Sequence, residues 1–243
     1  MTFVRPIKEL YAILNNYIFK IMNLLSKLFE KKKQLEFVEN KEGLHIFGGE
    51  IPEDFNIPEN KFLADFQYIG KISKTDKNFD WLPFDINLIC PILTDFDYVF
   101  LDYKNPNSPI IIYPENTENI TSAYDEISQN TRLVYEMKKF SLKDFDGINE
   151  DNEFEVFGVA GKPQPNFEDE PVVFPKCPKT NKKMNFVAQF CSNNHLKTIS
   201  KNFISKSDYE EKIHQHMNFW CDGSLKIFIE PTSKIVCYTI QNT

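Results

Sequence analysis

The chain has 243 residues, 42% hydrophobic and 26% charged, which is enough apolar material for a core and excludes a disordered polymer. Its 28 basic and 35 acidic residues leave a formal charge of -7, which argues against a nucleic-acid backbone as partner and admits a basic protein. With 23 Phe and 10 Tyr against 8 Gly, and no P-loop or dinucleotide fingerprint, the composition favours aromatic-rich sheets over a glycine-rich phosphate-binding fold. Five cysteines form an odd set without paired spacing in a chain large enough to fold without disulfides, so a cytoplasmic protein is expected.

Residues 10–29 repeat apolar side chains at i, i+3, i+4 and i+7 (Leu10, Ile13, Leu14, Tyr17, Ile18, Ile21), which predicts an amphipathic helix. Asn15, Asn16 and Lys20 interrupt the run, so neither a membrane span nor a secretory signal fits. One reading packs this helix on the sheet or on a second copy. The other lays it in a membrane interface, helped by Lys31 to Lys33 but weakened by an asparagine-rich polar face. A natural start at Met22 would leave only a tether.

Beyond a basic tether ending near residue 35, strands dominate. His45 to Phe47 runs into Gly48-Gly49, residues 62–72 and the apolar run 81–92 follow, and residues 98–103 and 109–113 form a hairpin. Residues 132–140 and 154–159 read as further strands. Pro175 and Pro178 bracket Cys177 and lead through the polar reversal Lys179 to Lys183 into a strand with Met184, Phe186, Ala188 and Phe190 on one face. Ser207-Asp-Tyr-Glu210 is a capping box, with Tyr209, Ile213 and Met217 as one face of a short helix. The C-terminus is a hairpin: Leu225, Ile227 and Ile229 alternate with Lys226, Phe228 and Glu230, the chain turns at Pro231, and residues 235–240 return.

The two parts of the chain echo one another. Gly48-Gly49 through Phe55 matches Ala160-Gly161 through Phe167, the strand at Phe66 matches that at Phe186, and Phe100-Leu-Asp102 with Ile110-Ile111 matches Phe228-Ile-Glu230 with Ile235-Val236. The order is the same in both, which points to duplicated halves, 36–150 and 151–243. The expected fold class is therefore α+β, mostly antiparallel β, with a helical segment at 1–35, a β-rich domain at 36–243 and minor helices.

Gly-Gly followed by Pro, then PKCPKTNKKMNFVAQF from Pro175 to Phe190, then Asp222-Gly223-Ser-Leu-Lys-Ile-Phe-Ile-Glu-Pro231, resembles the bacterial YwqG-like family, from about Gly48 to the C-terminus. The resemblance implies a mostly antiparallel β architecture and no established activity, with an immunity role against bacterial toxins suggested for such genes. Many members carry a second cysteine where this chain has Thr180, which puts a metal knuckle here in doubt.

His214, His216 and Cys221 combine imidazole with thiolate, as zinc would require, but side chains two apart on a helix diverge by about 200 degrees. Cys191 or Cys221 with His195, His214 or His216 would make a nucleophilic pair, although no backbone-amide hole accompanies it in the sequence. Cys90 and Cys237 read as buried hydrophobes. No catalytic, metal or cofactor residue is assigned. Trp81, Gln189, Trp220 and Asp222 are the candidate binding residues, at loosely comparable places in the two halves.

The functional expectation is a non-catalytic cytoplasmic binding protein, of immunity type, that meets a basic protein through its acidic loops at 115–126, 144–155 and 168–170. Self-association through the N-terminal helix would be a further contact. The alternative is a metal-dependent or small-molecule enzyme whose site lies between the halves.

Overall fold

The structure, a computed structural model, describes residues 33–59, 66–91, 96–112, 131–145, 156–164, 172–192, 195–205, 207–219 and 223–241. Residues 34–243 form one compact unit. The expected N-terminal helix and acidic loops 115–126 and 168–170 lie outside the described residues, as does most of 144–155.

Every strand pairing among the described residues is antiparallel. Thirteen strands are present: β1 (Leu35–Glu39), β2 (His45–Phe47), β3 (Gln67–Ile72), β4 (Ile86–Cys90), β5 (Val99–Asp102), β6 (Ile110–Ile112), β7 (Leu133–Tyr135), β8 (Lys138–Asp144), β9 (Gly158–Ala160), β10 (Asn185–Cys191), β11 (Thr198–Lys201), β12 (Ser224–Glu230) and β13 (Ile235–Gln241). Eleven of them join in one sheet, in the order β4-β3-β2-β8-β1-β9-β10-β12-β13-β5-β6, and β11 pairs with β7 in a separate ribbon. The single described helix, α1 (Asp208–Ile213), starts at the expected cap, where the Ser207 hydroxyl accepts the Glu210 N–H. It buries no residue. Met217, expected on its face, lies beyond it in an extended segment bonded to Leu196, so among the described residues the helical content is smaller than an α+β fold implies.

The order reads the same in both directions from the β1–β8 pair: β8-β2-β3-β4 one way, β1-β9-β10-β12 the other. Register makes the correspondence residue-specific. A bulge interrupts β3 between Tyr68 and Gly70 and β10 between Phe186 and Ala188, so Gly70 stands where Ala188 does. Gly70 pairs with Phe47 and Ala188 with Ala160, and each of those strand ends is followed by a glycine at positive φ, Gly48 at 72 degrees and Gly161 at 76 degrees. Tyr68, two residues from the expected Phe66, is thus the counterpart of Phe186. The third sequence match is corrected: the counterpart of β12 is β4, because both flank the bulged strand, whereas β5 borders β13.

The long sheet curls far enough to bring β4 back against residues of β13 and the end of β5. The Phe84 ring at the entrance to β4 stacks on Tyr103, just past β5, at 5.5 Å. Tyr103 Oη donates to the Asn87 carbonyl at 2.6 Å, and it lies 3.0 Å from Tyr238 Oη, which is itself bonded to the backbone of Ile89. Since the Tyr103 proton is committed to Asn87, Tyr238 donates to Tyr103. Two buried phenols therefore satisfy a stretch of β4 that has no described strand beside it, and burial holds both pKa values far above the usual phenol range.

Inside the curl lies the main core, built on an aromatic knot in which the Phe47 ring meets Phe37, Phe140, Phe157 and Phe190 at 4.7 to 5.4 Å. A smaller core on the outer face joins Phe100, Met184, Phe186, Phe228, Ile235 and Cys237 beneath residues 172–184. This corrects the expected single face of β10. Val187, the extra residue of the bulge, shifts the alternation, so Met184 and Phe186 point outward while Ala188 and Phe190 point to the main core. The expected strand at 132–140 is likewise two strands in different sheets, β7 and β8, broken at Glu136, whose N–H bonds Lys197.

Candidate functional site

Two turns of like construction meet on the outer face. Cys177-Pro178-Lys179-Thr180 and Glu230-Pro231-Thr232-Ser233 each begin with Pro in second place, which presets φ for a turn, and each closes on a residue in the left-handed region, Asn181 at 55 degrees and Lys234 at 59 degrees. In each, the first side chain collects the N–H groups of the turn. Glu230 accepts from Ser233 N at 2.7 Å and Thr232 N at 3.4 Å, while the Cys177 sulfur takes the N–H groups of Lys179 and Thr180. Burial works to raise the Cys177 pKa, yet these donors and the Thr180 and Ser233 hydroxyls together hold it below the usual thiol range. Cys177 Sγ lies 3.4 Å from Ser233 Oγ, which joins the two turns.

Docked together, the turns form a lysine platform. Lys176 and Lys183 sit directly opposite one another in a bridge, and the Lys183 ammonium lies 3.9 Å over the Phe174 ring. Lys179 reaches Asp102 at 2.6 Å, Lys104 N bonds the same carboxylate, and Tyr103 N bonds the Lys234 carbonyl, so residues 102–104 border the turns. Lys104, Lys176, Lys182 and Lys183 are exposed and Lys234 is half-buried. Among the described residues none of these five forms an ion pair. The sequence reading treated this region as a polar reversal and missed it. The signal was there, in four lysines within the eight residues 176–183 of an otherwise acidic protein.

Of the residues expected to bind, Gln189 is buried on the outer face of β10. It acts as a clamp, its Oε1 accepting the Gln164 N–H at 3.1 Å and its Nε2 donating to Ser224 Oγ at 3.4 Å. Its cross-strand neighbour is Lys226, a lysine 1% exposed whose ammonium bonds Gln241 Oε1. Burial pulls the Lys226 pKa down to about 8, against an opposing pull from Cys191. Trp81 sits in the β3–β4 connection and donates its indole N–H to the Asn78 carbonyl at 3.0 Å, a local turn contact. Trp220 and Asp222 lie outside the described residues, as does Cys221.

The suspected nucleophile and metal residues are dispersed. Burial pushes the Cys191 thiol up to about 11, away from thiolate character at neutral pH. His195 lies edge-on to Phe157, His214 Nδ1 is 3.1 Å from Ser205 Oγ, and His216 forms a bridge with Lys197. Among the described residues no three His, Cys, Asp or Glu side chains gather as metal ligands do. A buried His–Asp pair that the sequence reading did not anticipate, His45 Nε2 to Asp76 Oδ2 at 3.2 Å, has its other ring nitrogen occupied by the Ser73 N–H. That contact assigns the proton to Nε2 and makes the pair a packing element between Phe37 and Phe79. No helix among the described residues is long and apolar enough to cross a membrane.

The chain matches no family model, no curated protein and no solved structure.

Proposed function

We propose that the protein is a non-catalytic binding protein of YwqG-like type, acting in the cytoplasm, whose two half-sheets arose by duplication. The observation that carries this reading is the fate of the reactive side chains. Cys191 is held as a thiol by burial, His45 and His214 are engaged in packing contacts, and the free charge stands on surface turns anchored to a curled sheet. Such a surface suits docking, where fixed charges set encounter rate and specificity. The proposed role is neutralisation of a basic protein of toxin type, met through the acidic loops.

Affinity capture of the full chain from its own cell lysate, with intact-mass analysis of whatever co-purifies, tests this. A stoichiometric basic protein, whose association slows when Glu168, Asp169 and Glu170 are replaced by Gln, Asn and Gln, is the expected result. A stoichiometric small molecule that the protein converts would overturn the reading.

A further inference from the structure

Apart from the Lys179–Asp102 pair and the Lys183 ammonium over Phe174, no contact among the described residues uses the charge of the lysine platform. Directly opposed like charges such as Lys176 and Lys183 destabilise a paired ribbon, and neither has an acidic partner among the described residues. Lys234 occupies a left-handed conformation that Asn or Gly would hold with less strain. Of the six lysines on and beside these turns, Lys104, Lys176, Lys179, Lys182, Lys183 and Lys234, Lys179 alone forms an ion pair among the described residues. Asp102 is already paired with Lys179, and Glu230 is turned inward to backbone amides. The result is a positive surface on a protein of net charge -7, mounted on two proline-led turns pinned at Cys177.

We infer that this platform docks an acidic segment, rich in Asp and Glu, of a partner protein. It is a second interface of opposite sign to the acidic loops, and it does not depend on them. The occupant's class follows from charge and range. At physiological salt, fields decay over about 8 Å, so a short acidic segment lying on the turns feels the lysines there more than the net charge of the whole chain. An anionic bilayer or a nucleic acid extends far beyond the platform and meets the repulsion of the rest of the molecule as well. The described platform lysines present point charges without an arginine fork, which fits a run of carboxylates better than a single bidentate phosphate.

The test is fluorescence anisotropy of a labelled octa-glutamate peptide with the full chain, at low and at physiological salt. The wild type is expected to bind and to weaken as salt rises. Replacing Lys176, Lys182 and Lys183 together by Gln should weaken binding about tenfold, the sum of several exposed pairs. The same number of changes at the exposed Lys41, Lys74 and Lys139 should leave it within about twofold. Lys234→Asn separates charge from folding, since it should raise thermal stability while weakening the peptide. Equal affinity in the wild type and the platform variant overturns the inference. So does tighter binding to phosphatidylserine vesicles or to a DNA oligonucleotide than to the peptide. Loss of peptide binding with the basic-protein capture intact would leave the proposed function standing and remove only this interface.

Discussion

The strands β4 and β12 hold corresponding places beside the bulged strands β3 and β10, yet their free edges are finished differently. β12 pairs along its length with β13, from Ser224 opposite Gln241 to Glu230 opposite Ile235. Among the described residues β4 has no strand on its second edge, and two phenols meet that edge through the Asn87 carbonyl and the Ile89 backbone. Equivalent position in a repeated framework therefore does not fix how a backbone edge is satisfied. What fixes it is which side chains the curl of the sheet brings opposite that edge.

The sharpest test of the correspondence is at the paired bulges. A Cβ on Gly70 would fall 2.3 Å from the Ile46 carbonyl oxygen at a φ of 148 degrees, whereas its counterpart Ala188 carries a Cβ already. Gly70→Ala should destabilise by roughly 3 kcal/mol or more, through backbone overlap in a disfavoured conformation, and Ala188→Gly by only about 1 kcal/mol. Urea unfolding midpoints of the two variants compare them directly. Similar losses would mean that the two bulges are equivalent in register alone.

Next in size is the phenol seam. Tyr103→Phe leaves the Asn87 carbonyl without its donor and should cost about 1–3 kcal/mol, and Tyr238→Phe should cost a similar amount by freeing the Ile89 backbone group. Tyr68, whose hydroxyl lies a long 3.5 Å from Asn87 Oδ1, is the internal control, and its Phe variant should lose less than about 0.5 kcal/mol. If all three behave alike, the hydroxyl chain contributes nothing specific to closing the sheet.

A smaller, pH-dependent asymmetry follows from His45, whose counterpart across the repeat is Gly158. At Gly158 a Cβ would come within 2.5 Å of the Phe190 ring, so that half fills the space with an aromatic where the other half places an imidazole. Burial, outweighing Asp76 and Asp85, lowers the His45 pKa below 6.5. Above pH 6.5 both folded and unfolded states hold it neutral. As pH falls through and below that value the unfolded chain takes up a proton that the folded one resists, so stability should decline toward acid. His214 and His216 act in the same direction, so imidazole NMR titration is the measurement that isolates His45. A midpoint at or above 6.5 for its ring would remove this account.

A further pH-dependent effect lies at the other end of the scale. Lys226 stands where β4 has Asn87. With a folded pKa near 8 against 10.5 for a free lysine, the unfolded chain binds more protons between those values, so stability should rise with pH across that window. In Lys226→Met the rise should be absent, and unfolding midpoints at pH 7.5 and 9.5 would reveal it.

Alternation and turn chemistry carried most of the fold in the sequence. The Gly48-Gly49 and Ala160-Gly161 stops, the β5–β6 and β12–β13 hairpins and the Ser207 cap are local features, fixed by residues a few positions apart, and each lies where its pattern put it. The likeness of the Gly48-Gly49 and Ala160-Gly161 strand ends was visible for the same reason, since a glycine stop is a local feature. What a linear pattern could not decide was register. One extra residue, Val187, turns Phe186 away from the main core, and one break at Glu136 sends β7 and β8 to different sheets. The lysine platform shows the same division. Its charges are written within 176–183, but only the packing of the 230–234 turn against Cys177, with Lys104 and Lys234 delivered from distant strands, gathers them on one surface. Local conformational preference is encoded by near neighbours, whereas the meeting of two turns depends on the curl of eleven strands, which no single segment contains.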